Sequence, residues 1–224
     1  MARLLVHVEG QTEETFVNEL LSGHLIAQGY YSVGARLVGN ARQRGGIRPW
    51  PSVKRDILHH LYEDPGCIAT TMVDYYGLPE AWPGRTRSRS LGSIQQKAAC
   101  VQDALRDDIA GEMGKRFDSE RFLPFVVMHE FEGLLFSDCS SFSRAIARLD
   151  LEPYLANIRA DFATPEDIND SVLTAPSKRI EALLPAYQKP FLGVLAAIEI
   201  GLEGIRKECP HFNSWIQQLE ASAG

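Results

Sequence analysis

Leu4, Leu5, Val6 and Val8 form an almost unbroken apolar run, interrupted only by His7, and the run stops at Glu9-Gly10. A continuous rather than alternating pattern predicts a strand buried on both faces. Thr12 is positioned to cap the next helix, and Glu13 and Glu14 fall in its first turn, where the dipole favours negative charge. A second strand is expected over 32–38. A glycine-rich loop, 39–48, leads to a helix capped by Ser52, with Val53, Ile57, Leu58 and Leu61 at helical spacing. The run 67–73 gives a third strand that ends at Asp74, ahead of Gly77 and Pro79. The loop 77–92 carries Pro, Gly, Arg and Ser, and its length suggests a mobile, functional segment. A long helix starts at Ser93. A fourth strand, 125–128, then runs into His129 and Glu130.

Strands alternating with helices predict an α/β fold with a mostly parallel sheet flanked by helices. From Ser140 onward the pattern is almost wholly helical, over 140–148, 151–162, 178–187, 189–207 and 211–221, with breaks at Pro165, Pro176, Pro185, Pro190 and Pro210. The expected organisation is an α/β core over 1–139 and a helical C-terminal region over 140–224 packed on it.

Composition narrows the class. With 45% hydrophobic and 23% charged residues the chain reads as an ordinary globular protein. It has no apolar run near the roughly 20 residues that span a bilayer, and no basic and apolar leader, so a cytoplasmic protein without a membrane partner is expected. The cysteines Cys67, Cys100, Cys139 and Cys209 are scattered without a CxxC pair, which predicts reduced thiols. A net charge of −6 argues against nonspecific coating of nucleic acid but leaves room for local basic tracks. Two such tracks exist. Arg42, Arg44, Arg48, Lys54 and Arg55 form one; Arg85, Arg87 and Arg89 form the other.

Glu9, Asp74 and the group His129, Glu130 and Glu132 each come after a strand-like run. Open α/β sheets bind ligands outside the carboxyl ends of their strands, so these groups are expected to gather there. Taken singly, each acid reads equally well as a solvated strand end or a turn, and His129 as a packed core histidine. In "HEFEGLLF" one of Glu130 and Glu132 is expected to face away from any site. Clustered carboxylates repel one another unless a cation intervenes, and oxygen ligands in that number suit Mg2+ or Mn2+. Phosphodiester cleavage is the chemistry such a centre serves well.

"VEGQTEE", "MVDYYGLP", "HEFEGLLFSD", "IND", "APSKRI", "YQKPFLG" and "CPHFNSW" together resemble a family of small bacterial proteins of unknown function with a TOPRIM-like core. The resemblance runs from Glu9 to about Trp215. Members of that family are often encoded beside an ABC-type or SMC-like ATPase in settings associated with phage defence. The TOPRIM fold, shared with topoisomerases, primases and OLD-type nucleases, uses a Glu after its first strand and an Asp-x-Asp after a later one. By that resemblance Glu9 shuttles a proton or holds metal, and Asp74 is the first metal-binding Asp. Tyr76 stands where the second Asp belongs, and Glu130 or Glu132 is the candidate to replace it.

In "APSKRI", Ser177 is expected to cap a helix that presents Lys178 and Arg179 against its own dipole, where a bound phosphate or the acidic cluster would compensate. The main expectation is a metal-dependent nuclease partnered by an ATPase. Glu9, Asp74, Glu130 and Lys178 would serve catalysis; Glu9, Asp74, Glu130 and Glu132 would hold Mg2+ or Mn2+. Arg85, Arg87, Arg89, Lys178 and Arg179 would hold nucleic acid. The alternative is a degenerate, non-catalytic TOPRIM module that binds the ATPase or nucleic acid; nucleotidyl transfer ranks last. The absence of Walker A, GxSxG and HExxH patterns excludes three other hydrolase classes by motif.

Overall fold

The computed structural model describes residues 2–38, 47–168, 171 and 173–223. β1 (Arg3–Val8) is buried from Leu4 to Val8 and lies between two parallel neighbours. On one side β2 (Ser32–Leu37) aligns Ser32 with Arg3; on the other β3 (Cys67–Asp74) aligns Cys67 with Arg3. The sheet order is β2-β1-β3-β4, and β5 continues alongside β3. A strand hemmed in on both edges and both faces has no solvent-facing position to offer, which is why its sequence does not alternate.

The element expected over 125–128 is instead two short strands, β4 (Phe122–Leu123) and β5 (Val126–Val127), both paired to β3. Pro124 separates them and has no N–H to give the ladder. Thr71 bridges the gap: its Oγ1 accepts from Phe125 N at 3.0 Å and donates to Phe125 O at 2.8 Å.

The first helical stretch comprises α1 (Gln11–Phe16), a π-helical turn at Val17–Leu21, and α2 (Ser22–Ala27). Its cap is Gly10 rather than Thr12, which is buried inside the first turn; Glu13 reaches back so that Gly10 N donates to Glu13 Oε2 at 3.0 Å. α3 (Trp50–Glu63) likewise starts ahead of Ser52, after Pro49, and Ser52 Oγ accepts from Arg48 Nη1 instead. Most of the glycine-rich loop, including Arg42 and Arg44, lies outside the described residues.

The 77–92 segment is packed, contrary to expectation. It contains α4 (Arg85–Ser88), and Arg85 is buried with its guanidinium 4.1 Å above the Tyr75 ring. Tyr75 OH and Ser88 Oγ are 2.9 Å apart. Gly84, at φ +75°, presses this segment onto α5 (Ile94–Met113), which Ser93 and Gln96 cap reciprocally.

The second half supplies α6 (Cys139–Ala145), α7 (Glu152–Ala160), α8 (Pro176–Leu183), α9 (Val194–Glu208) and α10 (Pro210–Ala221), with a second π-helical turn at Lys189–Gly193. One apolar core joins Leu4, Val6 and Val8 to Phe212, Trp215 and Ile216, while Ala69 and Val73 pack with α3 and α5 on the other face. Trp215 fastens α10 to the sheet: it stacks on Phe125 at 4.4 Å and its Nε1 donates to Thr70 Oγ1 at 2.9 Å. Glu166 caps α10 by accepting from the amides of His211 and Phe212, so Cys209-Pro210-His211 serves packing. All four cysteines are free. Among the described residues no helix is long and apolar enough to cross a membrane.

A Cβ at Gly84 would sit 2.4 Å from the carbonyl oxygen of Cys100, on a left-handed backbone. Gly84→Ala is therefore expected to destabilise the fold by about 2 kcal/mol or more. Urea denaturation checks this, and an unchanged midpoint would mean that the segment is not held against α5.

Candidate active site

The carboxyl ends of β1 and β3 lie side by side, and the acids beyond them meet. Glu9 leaves β1 and turns its carboxylate to β3, where Asp74 N donates to Glu9 Oε2 at 3.4 Å. Gly77 makes this approach possible, because a Cβ there would lie 3.2 Å and 3.3 Å from the two Glu9 oxygens. Beyond β3 the ladder continues: Tyr75 N donates to Val127 O and Tyr76 N to His129 O. His129 is buried in a left-handed conformation, φ 67°, which turns the chain sharply and delivers Glu130 and Glu132 to the same edge. Phe131 N then donates to Asp74 Oδ1 at 3.1 Å, fixing that carboxylate.

Both acids of "HEFEGLLF" serve the cluster, so neither faces away. Lys189, at the start of the second π-helical turn, places Nζ 3.0 Å from Glu132 Oε2 and 3.9 Å from Glu130 Oε1. Glu130 Oε2 accepts from Ser177 N at 3.0 Å, so a carboxylate remote in sequence satisfies an orphan amide of α8. Ser177 itself lies inside that helix and does not cap it.

Lys189 pairs with Glu132 and Glu130, and its charge also acts on Glu9, Glu13 and Asp74. Burial pushes Glu132 up to about 7, with Glu130 adding to the rise and Lys189 opposing it. Glu13 is also pushed up to about 7, by burial and by the charge of Glu9. Burial raises Glu9 as well, against the Asp74 amide and Lys189. Half-buried Asp74 is raised well above the usual carboxylate range, by burial and then by Glu9, Glu13 and Glu132. Burial works against the charge of Lys189, but Glu132, Glu130 and Asp74 together hold its pKa above that of a free lysine.

Lys189 and Glu132 therefore pull in opposite directions, the amine toward its charged form and the acid toward its neutral one. The resolution is that one cation is shared among several acids: Lys189 stays protonated, and protons on the carboxylates offset the remainder. Tyr187 lies beside this group; burial and the charges of Glu132 and Glu130 raise its pKa, and its hydroxyl has no hydrogen-bond partner among the described residues.

The expected cations lie elsewhere. Lys178, half-exposed, pairs with Glu181 at 2.6 Å. Arg179 donates to Thr174 O at 2.8 Å and lies 5.2 Å over the Phe162 ring. Arg89 pairs with Glu80 at 2.6 Å, and the Nε of Arg87 donates to Cys100 Sγ at 3.1 Å. Asn169 and Asp170 of "IND" lie outside the described residues. Lys189 and Glu13 join the cluster although neither belongs to the expected ligand set; Lys189 was signalled only by its place in "YQKPFLG".

The donor set is all oxygen, which suits a hard divalent cation in kind. As placed, no group of three or more His, Cys, Asp or Glu side chains among the described residues converges to hold one. A groove of about 550 Å3 lies apart from the carboxylates, lined by Cys139, Arg159, Lys207 and Glu208 among others.

The sequence pattern of the family described as a domain of unknown function, DUF4276, matches residues 8–220, so the chain belongs to that family. No curated protein and no solved structure matches it.

A carboxyl that binds its proton more tightly in the folded state loses stability as pH rises from its unfolded value through its folded one, here from 4.5 to about 7 for Glu132. That shift is worth on the order of 3 kcal/mol. In chelator, Glu132→Gln should gain thermal midpoint relative to the parent between pH 5 and pH 8. His7, held down to about 4 chiefly by burial, contributes the opposite slope on the acid side, but it cancels in this comparison. Parallel curves for the two proteins would remove Glu132 from the strained cluster.

Proposed function

We propose that this member of the DUF4276 family is a divalent-metal-dependent phosphodiester hydrolase, a nuclease acting on DNA or RNA, and the effector partner of an ABC- or SMC-type ATPase in phage defence. The observation that carries the reading is the meeting of Glu9, Glu13, Asp74, Glu130 and Glu132 at the carboxyl edge of a parallel sheet, with Lys189 as the cation bonded among them. The TOPRIM resemblance of Glu9 and Asp74 supports it, and the ATPase and defence setting rest on that resemblance alone.

Mg2+ or Mn2+ fits the donor chemistry, with Glu9, Asp74, Glu130 and Glu132 as the residues that would hold it. When bound, such a cation activates water and offsets charge on a phosphodiester. The chain's own groups do the rest. The Phe131 amide orients Asp74, and Glu9, its pKa raised, is suited to give and take a proton at this edge. Lys189, now bonded to Glu132, would turn to a phosphate oxygen brought to this edge. Arg87 and Arg89, on the segment leaving Asp74, supply positive charge for a polyanion that the net charge of −6 would otherwise repel.

Two features favour the second reading, a non-catalytic module that binds the ATPase or nucleic acid. Tyr76, exposed, replaces the second Asp of the TOPRIM pattern, and Lys189 already partners Glu132 and Glu130.

Mn2+ titration by calorimetry and single-turnover cleavage of labelled DNA and RNA, with and without the ATPase, separate these readings. Asp74→Asn and Glu9→Gln should each weaken Mn2+ binding by at least about tenfold and remove cleavage. Reversing the charge of Arg87 and Arg89 together should weaken nucleic-acid binding and flatten its salt dependence while leaving Mn2+ affinity unchanged. Unaltered Mn2+ binding and cleavage in both acid variants would overturn the assignment. Nucleic-acid binding without cleavage by the parent protein under every condition would select the second reading.

A further inference from the structure

A second constellation lies between β1 and α3 and shares no side chain with the carboxylate cluster. His7 is fully buried, and its Nδ1 is 3.2 Å from the carbonyl oxygen of Thr70. A carbonyl oxygen can only accept, so Nδ1 carries the proton and Nε2 keeps its lone pair. That Nε2 is buried and has no hydrogen-bond partner among the described residues. His7 lines a cavity of about 190 Å3 together with Arg36, Asp56, His59 and His60. The His60 ring stands 5.6 Å from the His7 ring. Asp56 and His60 are four residues apart on α3 and so share a face.

The lone pair decides the class of ligand. It repels an anion and accepts only a hydrogen-bond donor or a Lewis acid, and two imidazoles with one carboxylate are donors that Zn2+ takes readily. Two nitrogens each about 2 Å from a tetrahedral ion put their ring centres roughly 5 Å apart, close to the 5.6 Å found here. The bond from Nδ1 to Thr70 is the kind of outer support that fixes the tautomer and orientation of a metal-binding histidine.

We propose that His7, His60 and Asp56 form a binding site for a transition-metal cation of the Zn2+ class that ties α3 to β1. The two imidazoles stand near the required spacing. Asp56 completes the set by rotating, because as placed no three donors converge among the described residues and Asp56 Oδ2 lies 2.5 Å from Arg48 Nη2. Water takes the fourth position, for which the cavity has room. Arg36 opposes a cation here, and its Nη1 donates to Ala35 O.

The test uses the full chain without an affinity tag, titrated with Zn2+ by calorimetry and with Co2+ by visible absorption. One equivalent of Zn2+ should bind at micromolar concentration or below, with a tetrahedral Co2+ spectrum and a raised thermal midpoint. The same should hold in Asp74→Asn, whose carboxylate cluster is impaired. His60 is half-buried, so His60→Ala spares the fold should His7→Asn fail to fold. It should weaken Zn2+ binding by at least about tenfold and abolish the rise in midpoint, and Asp56→Asn should act in the same direction. The proposal is overturned if Zn2+ does not bind at that concentration, if His60→Ala binds it as tightly as the parent, or if binding disappears in Asp74→Asn alone.

Discussion

Mutual repulsion among half-buried and buried carboxylates is the constraint around which this chain is arranged. Glu9, Glu13, Asp74 and Glu132 all have their pKa values raised, chiefly by burial and further by one another. A fold tolerates such a cluster only by supplying compensation at close range. Here it comes from backbone amides at Gly10, Asp74, Phe131 and Ser177 and from the ammonium of Lys189. The helix that begins at Gln11 adds its positive end beside Glu9 and Glu13. The same acids also satisfy backbone amides, so each both strains and ties the fold.

The sheet makes that arrangement possible. Parallel strands present their carboxyl ends at one edge, and both β1 and β3 stop there with an acid. The third contribution needs a backbone device, the left-handed His129, because β5 is too short to carry Glu130 and Glu132 to the edge by extension alone. Lys189 arrives from the opposite direction, on the helical half, whose attachment through Trp215, Phe125 and Thr70 holds it against the same sheet. The acids come from residues 9–132 and their ammonium from residue 189, so the pairing joins the two halves of the chain.

The sequence makes the skeleton of this plan readable. Apolar runs that end in Glu9 and Asp74 announce buried parallel strands and the edge where their acids gather, because burial on both faces leaves a local signature. Its limits are equally physical. Thr12, Ser52 and Ser177 look like caps, yet Gly10, Pro49 and Ala175 hold those places, since Pro at an early position or a reaching Glu13 starts a helix as well as a hydroxyl does. Lys178 and Arg179 look like the cations of the site, but Lys178 turns to Glu181 and Arg179 to Thr174 and Phe162. Lys189 carries no local mark: its role depends on a contact with Glu132 across 57 positions of sequence. The break at Pro124 is visible in the sequence, but its repair by Thr71 is not.

Lys189 also begins a π-helical turn, as Val17 does at Val17–Leu21. An α-helix advances about 100° per residue, so one residue beyond the α-helical repeat changes the phase between the segments on its two sides. On the C-terminal side of Lys189–Gly193, α9 buries Val194, Ala196 and Ala197 by its own periodicity. On the N-terminal side the chain is not helical: Gln188 is extended, and Lys189, the first residue of the turn, directs its ammonium to Glu132. The wider first turn thus separates the residue that answers to charge, Lys189, from the apolar face that α9 buries, so neither position dictates the other.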